Sequence, residues 1–250
     1  MKTNKFFMTI LSMVLCINFV SCGGDDDENG GGINGNTEKR LTKVEISSAD
    51  NQTDYEYCGS VEYEYDGNRP SRITVLDDDS EIYTTLEISE KEIKAWHEGR
   101  TTIYTLNNNG YVINDNHGTK YNYYDEGYLK SIEEDGDLET FSYDNEWNMI
   151  ASSYLAVPNI LYPDKILNKG NLYISDGLGE KEDLDILGSV GFFGKTSKYL
   201  VQEYNYAGED DDEPDYFEYK LDEDGYVKEV KVLLSTGESD IYKYTYENIK

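Results

Sequence analysis

One aromatic phrase recurs along this chain and restricts its fold more than any other feature. Tyr121-Asn122-Tyr123-Tyr124-Asp125-Glu126-Gly127-Tyr128-Leu129 sets the pattern. Aligned on the glycine, Tyr104 to Val112 and Tyr219 to Val227 repeat it. Phe141 to Met149 is a degenerate copy, and Tyr63 to Pro70 is one with a shortened turn. Tyr83, Tyr242 and Tyr244 suggest further copies that lack the glycine. The copies that start at Tyr63, Tyr83, Tyr104, Tyr121 and Phe141 are 20, 21, 17 and 20 residues apart. That is the length of one β-hairpin: two strands of roughly five to six residues and two short connections.

The local chemistry agrees with hairpins. Asn-Asn-Gly, Asp-Glu-Gly and Glu-Asp-Gly suit a three-residue loop whose glycine takes the left-handed conformation. In Tyr-x-Tyr and Tyr-x-Leu the two large residues share one strand face. The residues between them (Glu64, Thr105, Asn122, Ser142 and Lys220) are all polar. This alternation predicts half-buried antiparallel strands. Residues 41–154 therefore read as a β-meander of about ten strands, resumed near Leu200 and running to Ile249. The whole is an all-β chain whose meander curls into a barrel or strongly bent sheet. Between the two parts, residues 155–199 read as an irregular insertion with at most one short helix. They are too apolar for a solvated linker and should cover an end or open face of the sheet. Glu209 to Pro214 reads as an exposed loop.

The N-terminus carries an address. Lys2 and Lys5 precede an apolar run from Phe6 to Leu15, too short to span a bilayer as a mature helix, and Ser21 precedes Cys22. The segment resembles a bacterial lipobox, which implies cleavage after residue 21, lipidation of Cys22 and attachment to the membrane through that lipid. Phe19 stands where leucine is more usual, a looseness typical of Bacteroidota lipoproteins. Residues 22–40, starting Cys22-Gly23-Gly24-Asp25-Asp26-Asp27-Glu28, cannot offset their ordering entropy by burial and read as a flexible tether. Acidic residues directly after such a cysteine also resemble the signal for export to the outer face of the outer membrane. A plain solvated spacer is the alternative. The single β domain is then 41–250.

The tyrosine hairpins, followed by Gly191-Phe192-Phe193-Gly194-Lys195-Thr196-Ser197-Lys198-Tyr199-Leu200, resemble a Bacteroidota lipoprotein family of unknown function, the DUF4595 type, described as having a porin-like fold. The likeness covers roughly residues 40–250. It implies a curved or closed antiparallel sheet and brings no catalytic residues with it. More loosely, the hairpins are similar to the YD repeats of Rhs-type shell proteins. Tyr or Pro replaces the arginine that follows the glycine in those repeats, and the copies here are few.

Composition narrows the functional classes. Lys and Arg number 22 against 51 acidic residues; loss of Lys2 and Lys5 with the signal would take the net charge from −29 to −31. Such a surface repels nucleic acid and anionic headgroups. With Cys16 in the signal and Cys22 lipidated, Cys58 alone remains, so no intrachain disulfide is expected, and Cys58 reads as a small buried hydrophobe. His97 and His117 stand at no metal-ligand spacing, and there is no Gly-x-Ser-x-Gly elbow or phosphate loop. Acidic residues are too many for a glycosidase pair to be picked out. Asp77 to Asp79, Asp210, Asp211, Asp212, Asp222 and Asp224 are Ca²⁺ candidates by ligand type alone; none completes a twelve-residue loop, and Asp222 to Gly225 is better explained as turn chemistry.

The tyrosines admit two readings. As cross-strand pairs they bury rings while their hydroxyls reach water, at about 0.2–1 kcal/mol per pair. As an exposed stripe they would stack on sugars or line an apolar cavity. Trp96 and Trp147 are the candidate ligand-contact residues, against core or rim packing. The expectation is a monomeric, non-enzymatic, cofactor-free, lipid-anchored surface protein with a binding or interaction role. The rivals are a carrier of an apolar ligand inside the barrel, a glycan-binding accessory of a surface uptake system, and a carboxylate hydrolase.

Overall fold

The computed structural model describes residues 39–249 apart from 51, 98, 154–158, 173–186, 188–190 and 206–213. Cys22, residues 23–38 of the expected tether, Asp210 to Asp212, and any helix within 173–186 therefore lie outside the described residues.

Among the described residues the alternating pattern yields sixteen antiparallel strands. Eleven precede the insertion: β1 (Lys39–Ala49), β2 (Glu56–Asp66), β3 (Arg69–Leu76), β4 (Ile82–Ile88), β5 (Glu92–His97), β6 (Arg100–Leu106), β7 (Val112–Asp115), β8 (Lys120–Tyr123), β9 (Leu129–Glu134), β10 (Asp137–Tyr143) and β11 (Met149–Ser152). Five more come after β11: β12 (Asn159–Leu161), which lies inside the segment expected to be irregular, then β13 (Glu203–Asn205), β14 (Asp215–Leu221), β15 (Val227–Leu233) and β16 (Ser239–Asn248). Each pairs with its predecessor except β12, and β16 pairs with β1, so one sheet runs from β11 through β1 and β16 to β12. The two edge strands approach each other, and the sheet is a nearly closed barrel. β1 starts two residues before the expected domain boundary.

The copies at Tyr63, Tyr83, Tyr104, Tyr121 and Phe141 fall on β2, β4, β6, β8 and β10, one hairpin apart. Their loops have the expected form. The Asn107 and Tyr124 amides donate to the Tyr111 and Tyr128 carbonyls, and Asp222 to Tyr226, enclosing three residues each. Gly110, Gly127 and Gly225 sit at φ +82, +92 and +84. The first loop residue adds a cap: Asn107, Asp144 and Asp222 each accept two loop amides through Oδ1. Trp147 occupies the glycine place of the degenerate copy at φ +63, a region that disfavours bulky residues.

Inside the barrel the two aromatic positions of the phrase divide their work. The first fills the core: Tyr63, Tyr104, Tyr121 and Phe141 are buried among Val44, Ile46, Ile73 and Leu86. The second pins neighbouring elements. Tyr123 donates its hydroxyl to the Val112 carbonyl at 2.6 Å, Tyr143 to that of Leu129 at 3.0 Å, and Tyr65 to that of Leu41 at 2.7 Å. These hydroxyls were expected to reach water. They instead satisfy carbonyls at the start of the adjacent hairpin's strand, and burial pushes the phenols of Tyr65 and Tyr123 upward. A second departure is Leu221: Leu106 is buried as the pattern requires, whereas Leu221 is 42% exposed.

Outward positions are mostly polar: Glu45, Glu62, Arg72, Glu87, Glu133 and Lys243 are examples from six strands, while Tyr57, Ile82, Trp96 and Leu138 are exposed apolar exceptions. Tight interior and charged exterior follow directly from the period-two alternation.

Candidate functional site

The strongest candidate for a functional surface is the end of the barrel that the insertion closes. Residues 162–172 and 191–202, flanked by β12 and β13, pack against the loop end of the hairpins. Phe192 and Phe193 enter the core with Leu187, and the Phe192 carbonyl accepts the Val112 amide at 2.8 Å. The Lys195 amide donates to the Gly127 carbonyl at 2.9 Å, and Lys169 Nζ reaches the Asp224 carbonyl at 2.6 Å. Gly194, at φ +88, lies so close to the Gly127 carbonyl that a side chain there would overlap it. The described parts of this segment thus lie against one end of the sheet.

The same segment bridges the seam between β11 and β12. Tyr162 donates its hydroxyl to the Met149 carbonyl at 2.8 Å, repeating across the seam what Tyr123 and Tyr143 do within the sheet. Ser197 Oγ accepts the Met149 amide at 3.0 Å and lies 3.2 Å from the Tyr162 hydroxyl. Asn148 Oδ1 accepts the Tyr199 amide at 3.0 Å. Glu146 binds Lys198 and Lys165 at 2.8 and 2.9 Å and accepts the Tyr199 hydroxyl at 3.2 Å; Lys198 foremost, then Lys165, hold its carboxyl down at about 2. Sequence reasoning missed Tyr162 and Ser197. Ile160-x-Tyr162 has the spacing of the phrase, but isoleucine takes the first aromatic's place and no glycine follows.

On this rim lies an aromatic stack. Trp147 and Tyr128 are nearly parallel, 8° apart with centroids at 4.6 Å, while Tyr124 and Tyr143 meet the indole at 5.8 and 5.9 Å. Lys195 Nζ stands over Tyr128 at 5.9 Å. Trp147 is thus half-buried, the rim packing weighed against a ligand contact. Beside the stack a recess lined by Tyr143, Tyr162, Lys195, Ser197 and Tyr199 holds about 30 Å³, room for a water or two.

The remaining candidates have structural partners. Trp96 stands outward on β5, 37% exposed, between Thr85 and Thr101. Asp222 and Asp224 both pair with Lys39, whose ammonium takes the position a cation would occupy; Asp222 lies 2.7 Å from it. Among the described residues no cluster of three His, Cys, Asp or Glu side chains is arranged to hold a metal ion. His97 contacts the hydroxyls of Tyr83 and Thr84 at 2.9 and 3.0 Å, and His117 that of Thr102 at 3.4 Å. Cys58 is buried, and burial pushes its thiol up.

No family model and no curated protein matches this chain. Among solved structures it is similar to a porin-like protein from Bacteroides uniformis ATCC 8492, at 18% identity and a TM-score of 0.59 over 83% of this chain and 98% of that one. A porin-like protein from Bacteroides vulgatus ATCC 8482 aligns at 11% identity and a TM-score of 0.45, over 84% and 99% of the two chains. The first shows the fold: an antiparallel β-barrel of the porin-like kind.

Proposed function

We propose that this chain is a lipid-anchored module of the cell surface that acts by binding through its outer face, without catalysing a reaction or passing solute through its interior. The observation that carries the reading is the polarity of the barrel. A membrane-spanning barrel has an outward apolar band and a polar lumen. Here the outward positions carry Glu62, Glu87 and Glu133, and the inward ones Val44, Ile73 and Leu86. Such a wall belongs in water, and among the described residues the interior is packed with buried side chains, which argues against the cavity of roughly 300–1,000 Å³ that a small-molecule carrier needs. Attachment would come from lipid on Cys22, with the acidic segment after it favouring the cell exterior, and the porin-like neighbours from Bacteroides fit an outer-membrane setting.

Three experiments test this. Whole cells treated with protease should lose the domain, and Cys22→Ala should abolish incorporation of labelled palmitate and release the protein from membranes. Liposomes carrying the lipidated protein should retain a small trapped sugar as well as empty liposomes do. Solute release above that background would sink the proposal.

A further inference from the structure

The barrel end opposite the cap gathers acidic residues at one corner. Three of its connections stand side by side in the sheet order: β1–β2, β3–β4 and β15–β16. They hold Asp50, Asp54, Asp77 to Asp79, Glu81 and Glu238 and no Lys or Arg. The first strand-end base met beyond them is Arg100 on β6, two strands past β4. Along the wall acids are paired: Glu62 with Lys43, Glu133 with Lys120, Glu229 with Lys220. At this corner Asp50, Glu56, Asp78, Asp79 and Glu81 are exposed and form no ion pair among the described residues. Unpaired like charges held together make a local well for cations. Two apolar side chains break the surface beside them. Tyr57 is 42% and Ile82 64% exposed, directly after Glu56 and Glu81 in the chain.

A second observation lies beneath. Asp240, two residues past Glu238, pairs in register with Ser48 and Val232 and is only 3% exposed. Its Oδ1 accepts no hydrogen bond. Cys58 shows where this carboxyl lies. Burial foremost pushes that thiol up, and the charges of Asp240, Asp78 and Glu56 add to it. The buried carboxyl and two carboxyls of the corner thus act on one sulphur, which places Asp240 under the acidic surface. A cation entering there meets a carboxylate that folding has already stripped of water, so pairing it costs the protein little further desolvation. No three of these groups are placed to share a metal ion among the described residues, and Tyr57 and Ile82 call for a ligand with apolar groups of its own.

We propose that this corner docks a basic, amphipathic segment of a partner protein, with lysine or arginine side chains over Asp78, Asp79 and Glu81, one of them reaching Asp240, and apolar side chains on Tyr57 and Ile82. The inference rests on the reading of the chain as a surface-binding module and names its partner class. Lys39, the first residue of β1, pairs with Asp222 of a capped-end loop at 2.7 Å. The chain leading back to Cys22 therefore leaves from the capped end, and the acidic corner points away from an anchor there.

Calorimetric titration of the full lipidated chain in non-ionic detergent tests this with three decapeptides: alternating lysine and valine, lysine alone, and alternating glutamate and valine. The first should bind at least about tenfold more tightly than either of the others. Asp240→Asn and the triple variant Asp78→Asn, Asp79→Asn, Glu81→Gln should each weaken it by about threefold or more. Asp240→Asn keeps the side chain's shape and removes a buried charge, and an undiminished urea midpoint checks that its fold is intact. A charge-matched triple at the capped end, Asp125→Asn, Glu126→Gln, Glu223→Gln, should change affinity by less than about twofold. Equal losses from the two triples, unchanged binding in Asp240→Asn, or equal affinity for lysine alone overturns the proposal. So does no binding by the parent protein. That last result, with surface exposure and liposome retention intact, leaves the wider reading standing; solute release would end that reading whatever the titration showed.

Discussion

At the residue scale, single positions carry strain or buried charge that the phrase does not advertise. Trp147 sits where a bulky residue pays roughly 1–2 kcal/mol in backbone energy, and its contact with Tyr128 offsets that. Trp147→Gly should lower stability by only about 1–2 kcal/mol in urea unfolding, since relief of strain partly cancels lost ring burial. Gly194→Ala has no such relief. Its methyl would meet the Gly127 carbonyl at a left-handed φ, and a loss of about 2–4 kcal/mol is expected from the same measurement. Asp240 adds a pH dependence. Burial pushes its carboxyl up to about 6, only partly offset by the Ser48 and Tyr242 hydroxyls, against about 3.9 in the unfolded chain. Between those values the folded form holds a proton that the unfolded form has released, so this group's contribution to stability falls as pH rises from about 4 to about 6 and is flat above. Asp240→Asn should remove that slope and raise stability at pH 7 by about 1–2 kcal/mol; an unchanged pH profile would contradict the assignment. None of this was legible in sequence, because one Asp among 51 acids, or a Trp in a turn, has no signature until its neighbours are known.

At the scale of elements, the hairpins were legible because their signals are local. A three-residue loop needs its glycine, and one face needs large residues every second position, so Tyr104 to Val112 declares itself within nine residues. The pinning role of the second tyrosine was not legible, because Val112 and Leu129 carbonyls become neighbours only once the sheet forms. The seam depends on the same device with worse protection. β11 and β12 are edge strands, and Met149 has both its amide and its carbonyl engaged by side chains of the cap. Tyr162→Phe strands that carbonyl and Ser197→Ala strands the amide, each at about 1–3 kcal/mol if the seam stays dry. Because edges open locally, hydrogen exchange should quicken in β11 while β1 and β16 keep their protection. Equal quickening across all three strands would mean that the seam is not a separate opening unit.

At the scale of the molecule, the two halves of the sheet are joined through its first and last described strands. β1 lies between β2 and β16, paired to the latter from Lys39 opposite Asn248 to Ala49 opposite Ser239. No local pattern could announce a pairing across two hundred positions, which is why strand count and closure were beyond sequence reading while strand identity was not. The arrangement makes the last strand the keystone of the sheet. Tyr242 sits between Ile46 and Val230, and Tyr244 lies opposite Val44; Tyr242 is fully buried. Ending the chain at Glu238 removes both rings and leaves β1 and β15 as exposed edges of two separate sheets. Burial of a large side chain is worth about 1.5–3 kcal/mol, so two rings, the opened faces of their partners and the lost ladder together rival the 5–15 kcal/mol that holds a whole domain. The truncated chain should therefore lose its cooperative urea transition altogether, whereas a chain ending at Asn248 should unfold at the parent midpoint. A truncated protein that still unfolded in one sharp step would show that β1 to β11 and the cap form a self-sufficient body, and the barrel would then be an assembly of two units and not one closed sheet.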